Sequence, residues 1–543
     1  MMEILIFHQG AAAGSLTYDG GKKSLPVPLP AKRSGILELR FAVPILDIQG
    51  YWVPELGAPS TKLHWVIESS SAGQRSFPFM AFMNSCQVNR LSFGLTDLID
   101  DVSVTAKMNQ EDCTYDVTVK LALHPETADF VLTLDDRAIP WTDALAAWRE
   151  TLALPVPEFP AGAWQPVFCT WYAVHAAVTQ AWVEKIAEQA AALGFGTFII
   201  DDGWCFDVMK RVSPKTISSW YEWIGDWEIS RKKFPDYAAH RRRIRELGLN
   251  YIFWVAPFLI GEKSAFRKKF PDCHQPTYHE GYYTLDTRKG DAVAAMLDKM
   301  KHLIRDYELD GLKIDFLDDI VPNVESPEGR ETTKFIAALT GAIREAKADA
   351  LIEYRQYYCT PGMMAYATQF RARDVPFDFI DNFYKLAQIR ISMGDRVPVH
   401  ADPVYWHPQE SAANIARHMI ASLAGVPMLS MDLLTISEME KKIISFWLGF
   451  YRRHLDTFRS GKWQVIYQLG SACGATVEGE RESIVFLTDP ARLETALASI
   501  ARPVTVLNLT GATLALPGAK VNGPDGEPGT DGAIVSGGCG TLA

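Results

Sequence analysis

Residues 291–316 read DAVAAMLDKMKHLIRDYELDGLKIDF, an amphipathic helical stretch (291–308) followed by a short apolar run, GLKIDF (311–316). Period-two alternation in that run sends Lys313 and Asp315 to one face and Leu312, Ile314 and Phe316 to the other. A helix feeding a short apolar strand is the unit from which parallel sheets with covering helices are built. The unit recurs on both sides. Upstream lie PVFCTWY (166–172), TQAWVEKIAEQAAALG (179–194), GTFIIDD (196–202), RRRIRELG (241–248) and NYIFWVAP (250–257). Downstream lie TTKFIAALTGAIREAKA (332–348), ALIEYRQYY (350–358), YATQFRARD (366–374), RVPVHADP (396–403) and GVPMLSMD (425–432). The apolar runs begin at 166, 196, 250, 311, 350, 366, 396 and 425, and eight such units close into a (β/α)8 TIM barrel. Tyr358 and Phe370 stand too close for a standard helix between the fifth and sixth strands, and a doubly wound sheet is the alternative.

The flanks have a different texture. Residues 1–140 carry short β-branched runs bounded by Gly, Pro, Asn or Asp, among them 36–46, 62–69, 115–123 and 129–135, which predict an N-terminal β-sandwich domain. Residues 141–162 form a linker helix and a Pro-rich boundary, with Thr142 or Asp143 placed to cap the helix. The barrel then occupies 163–456. Residues 457–543 return to β texture in a small C-terminal β-sheet domain, whose Gly-rich tail GPDGEPGTDG (523–532) reads as a flexible, turn-rich segment.

Composition bounds the function. The chain has 543 residues, 48% hydrophobic and 22% charged, which is globular and excludes a largely disordered protein. Its 54 basic against 65 acidic side chains leave a charge of −11, which speaks against nucleic acid as a partner. No stretch approaches the roughly 20 apolar residues of a membrane span. The N-terminus, MMEILIFHQGAAAG, has an apolar patch only from Ile4 to Phe7 and no basic region before it, so it does not read as a signal peptide. The eight cysteines are scattered without framework spacing, which predicts reduced thiols and a cytoplasmic location. The 15 Trp and 19 Tyr supply flat, partly polar surfaces suited to ligands.

In such a barrel, residues at the C-terminal strand ends face the active site. Strand two ends in Asp201-Asp202-Gly203-Trp204, whose paired carboxylates suit vicinal sugar hydroxyls; a solvated Asp-Gly turn is the plain alternative. Strand four places Asp315 beside Lys313, and a lysine keeps a carboxylate ionised as a nucleophile or electrostatic stabiliser requires. Strand six ends in Phe370-Arg371-Ala372-Arg373-Asp374. Asp374 falls two strands after Asp315, so the pair can face each other across the mouth as in glycoside hydrolysis, with Arg371 orienting a hydroxyl or carboxylate. Asp378 and Asp381 are rival acids. His400, Asp402 and His407 follow strand seven, but their spacing fits no zinc or facial-triad signature, so neither a metal nor a cofactor is expected. Trp220, Trp223 and Trp227, in the insert over 205–240, read either as an aromatic lid or as packing, and Arg241-Arg242-Arg243 as a solvated helix face.

These stretches together resemble the retaining α-galactosidases (melibiases) of glycoside hydrolase families 27 and 36 and the related raffinose-synthase-like proteins. The resemblance rests on FIIDDGW (198–204), GDW…KFPD (225–236), YIFWVAP (251–257), DGLKIDF (310–316), FRARD (370–374) and the stretch from Val399 to Asp432, in the expected order over 163–440. It implies Asp315 as a nucleophile forming a covalent glycosyl-enzyme and Asp374 as acid and then base. It further implies Asp201, Asp202, Lys313 and Arg371 as ligands of the sugar, with Trp204 and Trp254 lining the pocket. The sequence departs from the family in reading RARD where a Ser-Asp form is usual and in its shorter N-terminal domain. It also lacks an obvious match to the Cys that accompanies the fifth strand, where Glu353 and Arg355 offer polar contacts instead. The expected function is a cytoplasmic, metal-independent retaining exo-α-glycosidase, an α-galactosidase acting on small oligosaccharides, with a homo-oligomer left open. The alternatives are an α-galactosyl transglycosylase, a glycosidase for another sugar, a non-catalytic carbohydrate-binding relative and a metal-dependent barrel hydrolase.

Overall fold

Eight parallel strands stand where the eight apolar runs stand. They are β1 (Val167–Cys169), β2 (Thr197–Ile200), β3 (Asn250–Val255), β4 (Gly311–Ile314), β5 (Leu351–Arg355), β6 (Gln369–Arg371), β7 (Val399–His400) and β8 (Met428–Leu429). Their order in the sheet is β7-β6-β5-β4-β3-β2-β1-β8, so sequence neighbours pair throughout. Parallel bridges His400↔Val426 and Val404↔Leu429 bring the two ends together, which nearly closes the barrel and excludes the doubly wound alternative. The computed structural model describes residues 1–213, 220–375, 377–498 and 500–543.

Helices over Gln180–Leu193, Tyr237–Glu246, Gly290–Asp306, Gly329–Ala346, Phe379–Met393, Ala412–Ser422 and Glu438–Arg453 cover the barrel. Between β5 and β6 there is only a single 3₁₀ turn, Pro361–Met363, as the short spacing requires. The helix quoted first buries Ala292, Met296, Met300, Leu303 and Ile304 on one stripe and leaves its charges outside. None of the helices, among the described residues, is long and apolar enough to cross a membrane.

The N-terminal part packs a six-stranded antiparallel sheet on a five-stranded one. Strand Gly35–Pro44 shows why: Leu37, Leu39, Phe41 and Val43 are buried, and their neighbours look outward. The patch at Ile4–Phe7 belongs to strand Met2–His8, which pairs with both Ala11–Tyr18 and Gly35–Pro44. The linker helix, Trp141–Thr151, begins after Pro140 and has no side-chain cap, contrary to the expectation for Thr142 or Asp143. Trp141 and Trp148 bury themselves against Trp52, Phe77 and Phe79 of the sandwich, and Arg149 donates to the Ile391 carbonyl of the barrel.

The C-terminal part is a six-stranded sheet within 462–542. Its Gly-rich tail is not loose. Trp447 donates to the Pro524 carbonyl at 2.9 Å, Lys442 pairs with Glu527, and Gly526 sits against the Phe446 ring with no room for a β-carbon.

Candidate active site

Three cations of the strand ends, Lys313, Arg355 and Arg371, hold four carboxylates of the barrel mouth, Asp201, Asp315, Asp374 and Asp402. Asp315, just past β4, is almost enclosed and has three donors. The Phe316 amide donates to Oδ1 at 2.8 Å, the Trp254 indole from β3 donates to Oδ2 at 3.0 Å, and Arg355 at the end of β5 donates its Nε to Oδ1. Burial alone would raise its pKa, but Arg355, with Lys313 and Arg371 behind it, holds the carboxyl well below the usual carboxylate range. Asp315 is ionised at any physiological pH.

Lys313 is a partner of Asp201, not of Asp315. Its Nζ donates to Asp201 Oδ2, which also takes the Cys169 thiol at 3.1 Å, while Asp201 Oδ1 accepts the Asp202 amide at 2.8 Å. The two side chains are 6% and 5% exposed, so neither charge could be buried without the other. Alternation also breaks two residues past the strand. Phe316 takes φ +59° and turns away from the helix layer to meet Trp254 and Tyr221 edge-on, beneath the Arg355 guanidinium.

Asp202 is fully buried and accepts the Trp220 indole at 2.7 Å. Desolvation pushes its pKa up to about 7, and the charge of Asp201 beside it adds to the rise; Lys233 nearby donates its ammonium to the carbonyls of Ala176 and Gly203. Trp204 departs from the expectation that it lines a pocket. Its indole is enclosed by Trp227, Phe253 and Tyr307 and donates to the Trp254 carbonyl at 2.8 Å. Of the insert tryptophans, Trp220 and Trp227 are buried and Trp223 is exposed; residues 214–219 of the insert lie outside the described residues. Arg241 is buried as well, bound to the Glu308 carbonyl and to Asp310, so only part of the basic run is a solvated face.

Arg371, at the end of β6, holds two acids at once. Its Nη1 donates to Asp374 Oδ1 at 2.9 Å and to Asp402 Oδ1. Asp374 is the outer of the two, 57% exposed, and thus open to solvent and ligand. Partial desolvation and the charge of Asp315 act to raise its pKa, but Arg371 outweighs them and keeps it below the ordinary value. Asp402 is fully enclosed, also accepts the Tyr172 hydroxyl at 3.0 Å and the Val375 amide at 2.8 Å, and is pushed up to about 7 by burial. Glu353, on β5, lies beneath Arg371 at 3.7 Å and accepts from Gln369 at 2.9 Å.

The rival acids have other employment. Asp378 caps helix Phe379–Met393 by accepting the Asp381 amide at 2.9 Å, and Asp381 pairs with Lys385. His400 donates to the Ala163 carbonyl at 2.7 Å with its other nitrogen towards Glu353, and His407 takes the Gln409 amide. Among the described residues no three His, Cys, Asp or Glu side chains form a metal-binding group. Sequence reasoning gave Arg355 and Asp402 no defined role. Their signal was the same alternation: Glu353 and Arg355 share a face of β5 as Lys313 and Asp315 do on and just past β4.

Asp315, buried and negative, and Asp374, solvent-reaching on the strand after next, stand near enough for the charge of Asp315 to act on Asp374. A family model described as Melibiase matches residues 159–461. The chain is 23% identical over 381 residues to alpha-galactosidase AgaA of Geobacillus stearothermophilus, covering 65% of this chain and 48% of that protein. It is 28% identical over 155 residues to alpha-galactosidase C of Emericella nidulans, covering 27% and 20%. These matches thus span about a fifth to a half of the curated relatives' length. Among solved structures, that of the Geobacillus AgaA superposes with a TM-score of 0.66 at 14% identity, over 89% of this chain and 80% of that one. A variant of the same protein in complex with raffinose gives 0.67 over 99% and 89%.

Proposed function

This chain belongs to the melibiase family, and we propose that the protein is an α-galactosidase, a retaining exo-α-glycosidase that removes terminal α-galactosyl groups from oligosaccharides without a metal or other cofactor. The observation that carries the reading is the state of Asp315: buried, anionic and aimed by Arg355, Trp254 and the Phe316 amide at the head of a barrel strand. A nucleophile must keep its lone pairs unprotonated and its position fixed, and these three donors do both.

In this reading Asp315 attacks the anomeric carbon while Asp374 gives its proton to the departing oxygen. Water then cleaves the glycosyl-enzyme, with Asp374 taking the proton back. To carry that proton Asp374 has to be released from Arg371, and Asp402 is the second carboxylate on which the guanidinium can settle. Asp201, Asp202 and Lys313 serve in this reading as partners for sugar hydroxyls. A cytoplasmic location fits the eight unpaired cysteines.

The test is to trap the intermediate. Incubation with 2-deoxy-2-fluoro-α-galactosyl fluoride should leave one fluorosugar on a peptide containing Asp315, seen by mass spectrometry. Labelling at another carboxylate, or none with an active enzyme, would refute the assignment.

A further inference from the structure

The barrel mouth carries an aromatic surface that this chemistry leaves unused. Phe377, Tyr405 and Tyr172 stack in series, with centroids 4.0 Å apart at 42° for the first pair and 4.6 Å apart at 17° for the second. The three come from beyond β6, beyond β7 and just after β1, so separate strand ends converge on one ladder. Its inner end is joined to the acids: the Tyr172 hydroxyl donates to Asp402, and Asp402 shares Arg371 with Asp374. Its outer end is open, for Phe377 is 57% exposed only three residues past Asp374.

Phe377 also sits at φ +67°, a left-handed conformation that costs a bulky residue energy. Packing against Tyr405 on one side does not bury the residue, which stays 57% exposed. An exposed aromatic face in a polar rim marks a binding surface, and the C–H face of a pyranose is the ligand surface that matches a flat π-system. Arg373, the nearest cation in sequence, lies over the Tyr357 ring at 4.7 Å, so the face of Phe377 is suited to a neutral ring.

We propose that this ladder is the leaving-group subsite, with Phe377 as the platform for the neutral sugar next to the scissile bond. The inference rests on the reading of Asp374 as the proton donor, since it places the platform on the side from which the leaving group departs. It makes Phe377 a specificity residue and not a catalytic one.

The experiment compares two substrates. α-Galactosyl fluoride has no sugar to leave, whereas an α-galactosyl disaccharide does. Phe377→Gly removes the ring and suits the positive φ, so the variant keeps its backbone; Phe377→Tyr keeps the platform. Phe377→Gly should lower kcat/KM for the disaccharide about tenfold, chiefly through KM, and leave the fluoride within about twofold. Phe377→Tyr should restore the disaccharide. Equal loss on both substrates, or no loss on the disaccharide, would overturn the subsite. A wild type inert towards both would instead sink the α-galactosidase reading, and the subsite with it.

Discussion

Arg355 grips Asp315 through its Nε while the Trp254 indole occupies the other oxygen of the same carboxylate. Asp315→Asn preserves the volume and removes the nucleophile, and turnover should fall by roughly 10⁴-fold or more with the thermal midpoint little changed. Arg355→Gln tests the grip itself. Activity requires the ionised form, so losing the guanidinium raises the Asp315 pKa and moves the acid limb of the kcat/KM profile to higher pH. A variant with wild-type turnover in the first case, or an unmoved limb in the second, would count against this role.

Asp374→Ala should behave differently. Substrates with a good leaving group need no proton, so most of their activity should remain in the first step, whereas poor leaving groups should lose roughly 10²- to 10⁴-fold. Added azide should rescue the second step by attacking the glycosyl-enzyme without a base. Uniform loss over both substrate types would point to a structural role.

Asp402→Asn probes the shared guanidinium. With its competitor neutral, Arg371 stays on Asp374 and lowers the pKa of the proton donor further. The alkaline limb of kcat/KM should therefore shift to lower pH. A shift the other way would mean that Asp402 does not draw Arg371 from Asp374.

Asp202 predicts a pH dependence of stability. Its folded pKa of about 7 lies above its ordinary value of 3.8, so the native state binds the proton more tightly than the unfolded chain. This contribution is complete below about 4 and is lost as pH climbs to about 7. Asp202→Asn, which cannot ionise, should show a flatter thermal midpoint across that window; an unchanged slope would show that Asp202 is ionised in the fold.

Gly73→Ala addresses the contact between sandwich and barrel. A β-carbon there would meet Thr333 Oγ1 at 1.8 Å, and Thr333 is buried on a barrel helix where it bonds the Gly329 carbonyl. The substitution should cost about 1–3 kcal/mol in thermal or denaturant unfolding.

The barrel was legible because its strands, β3 apart, are apolar runs ended by a polar residue, and even the missing helix between β5 and β6 showed in the spacing of Tyr358 and Phe370. Pairings across the mouth were not legible. Alternation says that Lys313 and Asp315 share a face, but not that Lys313 reaches past β3 to Asp201 while Arg355 comes from β5 to Asp315. Nor does local pattern show where it stops, as at Phe316, whose positive φ reverses the expected side. Trp204 read as a pocket residue because an aromatic beside two acids suggests a sugar; three neighbouring rings enclose it instead, a matter of tertiary packing that no short motif records.

The chain immediately beyond Asp315 is fastened from outside the barrel. Gln74 donates to the Ile320 carbonyl at 2.9 Å and Arg75 to that of Asp318 at 3.1 Å, while Asp101 receives the amides of Asn323 and Gly329 and Asp100 pairs with Arg330. The sandwich is consequently not a detachable cassette that evolution or an engineer could exchange freely among barrels. Whatever replaced it would inherit the duty of steadying the very segment on which the nucleophile's aim depends, and a poorly matched graft would pay in turnover long before it paid in solubility.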